Sequence, residues 1–499
     1  MKIQTNSPWA WALALALGAC TQFGGAEASW PPLAKKWFDR AEASYREGDV
    51  EDAEHSIGNA LRVMPREPKV RLLAARIALA ELEYDRAIQL LDGVTDAEAR
   101  SVRGRALWYA GQVDRAADEL EALLSDPEVR DGWAVEVAKL ARRGTGRKPF
   151  QMSGGMLAVV EMPQVASTAL VVPVEINGEA ALALLHTGTA EAVVDSGSGR
   201  EPQWVSLRFG ERVEVKDVPA LSKDLSGISR QLNAPIKMLI GVNLLRHLHP
   251  TFDFTGGQFV VRNFEPPPPP HATTVRLAYV RGGGMLLRGM FGAEQTAPVA
   301  SLLIDTSMSF PLALDDGGWK KAGIDSRELK SVPNVKGLKQ GTLPLLRIGA
   351  FDVPRIPGVH GAPVKEVEQG LGMELDGLVG SGLLAAFRVT LVDGGRTMWL
   401  EDMPAEATRQ AAPPPELPEG VEPDPDEEPA PEEPPADAPK TKPGKGAPKP
   451  KAPAAPGVGG AKPGATSGAP TVPAAAPAPA AAPAAKPGKP AAPQPPAGN

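Results

Sequence analysis

Cysteine is almost absent: Cys20 is the single thiol in 499 residues. No disulfide can form within one copy, and no thiolate-based metal site is available. Aromatic residues make up 5% of the chain, with four tyrosines among them. Long apolar runs are missing too. The stretch Trp9–Leu17 falls far short of the roughly 20 residues a helix needs to cross a bilayer, and has the length of a signal-peptide core. Gly282-Gly283-Gly284 precedes an apolar strand instead of following one, so it is no phosphate loop, and no Gly-x-Ser-x-Gly elbow offers a serine nucleophile. His247 and His249 stand two apart, with His186 and His271 elsewhere and no acidic partner at helical spacing. The expectation is therefore surface or capping histidines, no metal and no cofactor. A net charge of −7 gives no reason to expect nucleic acid as a partner.

What is abundant is unevenly spread. Most of the excess among the 53 prolines lies in residues 404–499, where an acidic run (Glu416–Glu433), a basic run (Lys440–Lys451) and Ala/Pro/Gly repeats follow one another. Almost nothing there can be buried, so the sequence predicts a disordered tail. Residues 31–145, by contrast, are rich in Ala, Leu, Glu and Arg at helical spacing. Tyr45-x-x-Gly48 followed by Ala53 recurs as Trp108-x-x-Gly111 followed by Ala116, and Leu79, Leu82 and Ala87 hold the same places between them. Small alanines permit close helix crossings, and a glycine ends the first helix of each pair. The 34 residues from Ala53 to Ala87 are one period of a helix-pair repeat.

After Gly144 the period shortens to that of strands. Residues 150–265 read as Met156–Glu161, Ala169–Ile176, Ala181–Leu185, Val193–Val194, Trp204–Phe209, Val213–Val215 and Phe259–Val261, with turn signals between. A stiff proline segment, 266–273, leads to a second set in 274–403: Met285–Met290, Ser301–Ile304, Leu345–Ile348, Val389–Val392 and Met398–Leu400. The two sets superpose as an internal duplication. Leu184-Leu185-His186-Thr187-Gly188 faces Leu303-Ile304-Asp305-Thr306-Ser307, and Leu239-Ile240-Gly241 faces Leu378-Val379-Gly380.

Three resemblances follow. Leu17-Gly18-Ala19-Cys20 resembles the lipobox of bacterial lipoproteins, which implies a signal peptide over 1–20, lipidation of Cys20, a tether over 21–30 and a lipid-anchored place in the bacterial cell envelope, at the outer membrane. Residues 31–145 resemble tetratricopeptide repeats, which implies a surface for another polypeptide. The duplicated strands resemble two tandem retropepsin-like aspartyl protease halves. In that family each half delivers an Asp-Thr/Ser-Gly turn, the two aspartates share one proton, and an extended peptide lies between them under a hairpin flap. Val205–Val215 with Gly210 at its tip is the expected flap.

The carry-over departs at two positions. His186 stands where the first catalytic Asp belongs, before a matching Thr187-Gly188, and Ser307 stands where the turn glycine belongs, after Asp305-Thr306. Glycine there suggests a positive backbone torsion or a close approach, so Ser307 implies relaxed geometry. The reading is an anchored envelope lipoprotein whose repeats recruit a protein and whose β module binds an extended peptide without cleaving it. Two others stand beside it: an active aspartic endopeptidase using Asp305, as a homodimer or with Asp195-Ser196-Gly197 as the true half-site, and a repeat scaffold in which the β module is only a body.

Overall fold

The computed structural model describes residues 30–163, 165, 169–197, 201–332 and 337–402. The signal segment 1–20 with Cys20, most of the tether and the tail 404–499 lie outside the described residues. Seven helices come first: α1 Pro32–Arg46, α2 Val50–Val63, α3 Pro68–Ala80, α4 Tyr84–Leu90, α5 Ala97–Tyr109, α6 Val113–Leu124 and α7 Gly132–Arg143. Proline opens α1 and α3, where a missing N–H costs nothing. Asp49, Asp96 and Asp131 cap α2, α5 and α7 by accepting an amide three residues on. The repeat is visible in the hydrogen bonds that end each first helix. Gly48, Leu82 and Gly111 all have positive φ, at 77°, 60° and 71°. The residue after each donates to the carbonyl five back: Asp49 to Ser44, Glu83 to Ala78 and Gln112 to Leu107. Leu82 thus accepts a left-handed conformation that glycine takes freely. Its side chain is compensated elsewhere: it is buried in the core of the β module.

The first β half comprises β1 Gln151–Gly154, β2 Leu157–Glu161, β3 Val171–Ile176, β4 Glu179–Leu185, β5 Ala192–Asp195, β6 Gln203–Phe209, β7 Val213–Lys223, α8 Ser226–Leu232, β8 Ile236–Ile240, α9 Val242–Leu245, β9 Thr251–Asp253 and β10 Gln258–Arg262. The second comprises β11 Thr273–Val280, β12 Gly284–Met290, β13 Val299–Asp305, β14 Leu312–Leu314, α10 Asp316–Lys321, β15 Lys330–Ser331, β16 Lys339–Ile348, β17 Phe351–His360, α11 Val364–Leu371, β18 Gly377–Gly380, α12 Ser381–Leu384, β19 Phe387–Val392 and β20 Thr397–Asp402. Both halves share one crossing pattern. In each, the strand that delivers the motif runs parallel to a later one (β4 with β8, β13 with β18), and the strand after the motif pairs antiparallel with that same partner (β5 with β8, β14 with β18). Gly241 and Gly380 permit this knot: a Cβ there would lie 2.2 Å from the Glu191 carbonyl oxygen and 2.0 Å from that of Phe310.

The two halves are joined through a shared sheet. A 13-stranded sheet runs from β15 at one edge to β2 at the other and crosses the boundary where β19 pairs with β9. Thr251 and Thr390 meet there, hydroxyl to hydroxyl at 2.8 Å. One core cluster holds Leu185 and Phe259 from the first half with Ile304, Trp319 and Leu391 from the second. The expected flap also moves. Phe209, before its tip, is fully buried with its ring 6.1 Å from that of Phe259, and Gly210 sits over Ala158. The β6–β7 hairpin is barrel wall. In the second half, β15 pairs with the start of β16 at the sheet edge.

Candidate functional site

Strand β4 carries His186 and strand β13 carries Asp305 to the same point, Nδ1 to Oδ1 at 3.4 Å. The residues behind them lock the two turns together. The Thr187 amide donates to Thr306 Oγ1 at 3.1 Å, and the Thr306 amide donates to Thr187 Oγ1 at 3.0 Å. Each hydroxyl then donates across to the opposite strand, Thr187 to the Ile304 carbonyl and Thr306 to that of Leu185, both at 2.8 Å. Both threonines are buried, so this four-bond brace is shielded from competing water. The pairing is made within one chain.

The two positions of the dyad are held differently. The Gly188 amide donates to His186 Nδ1 at 3.1 Å, which requires a lone pair on that nitrogen and places the ring proton on Nε2. Burial lowers the His186 pKa, and the Asp305 charge only partly offsets this, so the imidazole is neutral near pH 7. Asp305 Oδ1 accepts from the Ser307 amide at 3.0 Å and from the Ser307 hydroxyl at 2.7 Å. Neither Gly188 nor Ser307 has a positive φ; the close approach holds at Gly188, where a Cβ would lie 2.6 Å from His186 Cε1 and 2.9 Å from Asp305 Cγ. The Ser307 hydroxyl adds a bond that glycine lacks. Among the described residues, His186 Nε2 and Asp305 Oδ2 have no protein partner, and neither is a buried orphan. The site therefore presents one N–H donor and one carboxylate acceptor to the space between the halves. Gly188, Ser307 and Ser309 are exposed beside them, and the Phe310 ring is 44% exposed.

The other candidates lie apart. Asp195, at the end of β5, is engaged by Lys237 Nζ at 2.9 Å and by the Leu225 amide at 3.2 Å; it closes a turn of the first half. His247 is exposed and stacks on Phe150, with ring centroids 4.5 Å apart. Among the described residues, Glu54, Glu81 and Glu83 form the one group of three potential metal ligands, and Arg86 already bridges Glu54 and Glu83 at 2.8 and 2.7 Å.

Sequence reading missed how the repeats meet this site. Glu191, five residues after His186, is 4% exposed and accepts from Trp108 Nε1 at 3.3 Å and Trp133 Nε1 at 3.1 Å. Burial raises its pKa, against the pull of those indoles, of Tyr109 and of Arg105. Tyr109 and Leu79 also close over Gly282, and Ala190 packs on Gly283. The seam continues through the Ser301 hydroxyl to the Glu47 carbonyl at 2.6 Å and Arg288 to Asp49 at 2.7 Å. Residues of α3, α5 and α7 and the end of α1 thus pack against the chain's own β module.

The chain thus joins tetratricopeptide-like repeats to a two-half retropepsin-like fold with a His–Asp pair at its centre. The tetratricopeptide repeat family model matches residues 44–107. Solved structures similar to parts of the chain include a retropepsin-like aspartic protease from Rickettsia conorii, at 20% identity over 26% of this chain and 91% of that one, with a TM-score of 0.20. The Arabidopsis OM64 TPR domain is 17% identical over 22% of this chain and 95% of its own, with a TM-score of 0.21. The aspartic proteinase from Irpex lacteus is 11% identical over 50% of this chain and 97% of its own, with a TM-score of 0.31. No curated protein matches the chain.

Proposed function

We propose that this protein is a lipid-anchored protein of the bacterial cell envelope, at the outer membrane, whose β module holds an extended polypeptide without cleaving it. The anchor rests on Cys20 in its lipobox-like setting. Binding without cleavage rests on one observation: the dyad is a neutral imidazole facing a carboxylate. Two carboxylates hydrolyse an amide because one is ionised to activate water and the other is protonated to donate to the carbonyl. His186 with its proton on Nε2 and Asp305 with Oδ2 open form a different pair. They match the N–H and C=O of one residue in an extended strand, which point the same way, the imidazole donating to the C=O and the carboxylate accepting from the N–H. A substrate strand is thereby registered, and no water is activated. Asp305 of a second chain is no substitute, because pairing in trans would break the Thr187–Thr306 brace.

The test incubates purified protein with a mixed peptide library from about pH 4 to 8 and reads both retained and cleaved peptides by mass spectrometry. Retention without cleavage is the expected outcome, weakened by Asp305→Ala, with cleavage gained in His186→Asp. Cleavage by the unaltered protein that vanishes in Asp305→Ala would replace this reading by an active endopeptidase. Absence of any retained peptide would leave the β module as a scaffold.

A further inference from the structure

The short loop from His186 to Glu191 has little slack. The Gly188 amide holds His186 Nδ1, the Thr189 carbonyl accepts the Val242 amide at 3.0 Å, and the Ala190 carbonyl accepts the Asn243 amide at 2.8 Å. The far end is Glu191, whose carboxylate is bound by the indoles of Trp108 and Trp133 and faced by Tyr109 and Arg105, all from α5 and α7. Helix α9, whose amides hold the loop, is anchored to the repeats as well. Arg246, just past its end, is 4% exposed and donates to Asn243 Oδ1. Its guanidinium lies 5.3 and 5.9 Å from the ring centres of Tyr84 and Tyr109 in the repeats, and 6.0 Å from that of Tyr279. Those ring faces are favourable company for a buried cation.

The duplication supplies an internal control. A Cβ at Gly241 would meet the Glu191 carbonyl, and one at Gly380 the Phe310 carbonyl. Glu191 and Phe310 are therefore equivalent positions, each five residues beyond its dyad member. Glu191 is 4% exposed and Phe310 is 44% exposed. Counted from the same glycines, Asn243 and Arg246 correspond to Gly382 and Ala385, which carry no polar side chain. The Asp305 loop is held within its own half, where the Ser381 amide and hydroxyl both donate to the Met308 carbonyl. Among the described residues, the clamps to the repeats belong to the histidine loop and not to the aspartate loop.

We propose that Glu191 and Arg246 are positioning residues for the dyad: through them the docked repeats hold the His186 loop so that Nδ1 stays an acceptor and Nε2 points its proton at the ligand. The repeats thereby serve the β module of their own chain. With Glu191 released, the loop loses its fixed end and the Gly188 amide withdraws. Nδ1 can then bind a proton from solvent and donate to Asp305 Oδ1, 3.4 Å away. The effect on ligand affinity rests on the peptide-holding reading above, whereas the state of His186 does not.

The test uses full-length protein with isotope-labelled histidine, read by nitrogen NMR at about pH 7. The His186 signals are those absent from His186→Asp, and retention of the mixed peptide library is measured beside them. Glu191→Ala is expected to move the Nδ1 signal toward the protonated form and to lower retention by about 3- to 30-fold. Glu191→Gln keeps one oxygen for the indoles and should restore most of both. Arg246→Met keeps bulk without the guanidinium and should move the signal the same way. Trp133→Phe removes one donor with little loss of packing; it should give a smaller shift, and it decides the matter if Glu191→Ala does not fold. An unmoved His186 signal in the folded variants, no rescue by Glu191→Gln, or an equal shift at His360 of the second half would each overturn the proposal. A shifted signal with unchanged retention would overturn the link to ligand holding. If the unaltered protein retains no peptide, the peptide-holding reading falls, and the histidine signal alone decides whether the repeats position the dyad.

Discussion

Replacing Thr306 by valine tests whether the two halves are joined as described. Valine keeps the shape of threonine and removes only the hydroxyl. That hydroxyl accepts the Thr187 amide and donates to the Leu185 carbonyl, and Thr306 is 3% exposed, so water cannot replace it without opening the turn. An orphaned buried amide costs about 1–3 kcal/mol and the weakened carbonyl about 1 kcal/mol more, giving about 2–4 kcal/mol for Thr306→Val. The brace is symmetric, so Thr187→Val should cost the same. The two hydroxyls take part in four different bonds, so the double variant should cost about the sum of the two single losses. The readout is amide exchange by mass spectrometry over residues 183–190 and 302–309. A local loss of 2–4 kcal/mol corresponds to exchange faster by roughly 30- to 1,000-fold in both segments at once. Because all four bonds are within one chain, the change should not depend on protein concentration. Acceleration under about threefold, or recovery of protection at high concentration, would refute the intrachain brace.

Other outcomes follow from particular residues. Glu191→Ala leaves the buried Trp108 donor and the half-buried Trp133 donor unpaired and should cost about 1–3 kcal/mol, with Trp108 and Trp133 fluorescence shifting to the red at lower urea than in the parent; unchanged emission curves would contradict the clamp. Burial beside Glu54 and Glu83 raises Glu81 from 4.5 to about 7. Its contribution to stability is therefore full below pH 4.5 and lost as pH rises through 7. Glu81→Gln should raise stability at pH 8 by about 1–3 kcal/mol and change it little at pH 4, and calorimetry at both pH values decides. Leu82→Gly relieves about 1–2 kcal/mol of left-handed strain but removes a buried side chain that contributes about 2–4 kcal/mol with its cavity. A net loss of up to about 3 kcal/mol in urea unfolding is expected, and a gain would show that strain dominates.

Much of this architecture is written locally. The Tyr45–Gly48–Ala53 spacing finds its copies because each is set by one turn of backbone, and Leu82 aligned with the glycines although its side chain gives no hint of positive φ. The strand-and-turn grammar around His186 and Asp305 is equally local, since apolar alternation and small turn residues act over a few positions. The misplaced flap shows the limit. Gly210 marks a hairpin correctly, but whether a hairpin covers a cleft or builds a wall depends on Phe209 meeting Phe259, 50 residues away in the sequence. The Glu191 clamp was illegible for the same reason: its partners lie 83 and 58 residues back, and an isolated glutamate in a turn carries no sign of burial. For Ser307 the constraint was sought in a positive torsion or a close approach at that position, whereas its φ is not positive and its hydroxyl donates to Asp305.

The covered face of the repeats has a consequence in time. The helices through Arg143 are finished long before Gly282 and Ser301, which they pack against, emerge roughly 160 residues later, an interval of about 10–30 s at typical synthesis rates. Throughout it, Leu79 and Tyr109, which later close over Gly282, lack that cover. A nascent or translocating chain arrested before residue 301 would therefore be a ready client for chaperones, whereas the finished chain shields that surface with its own strands.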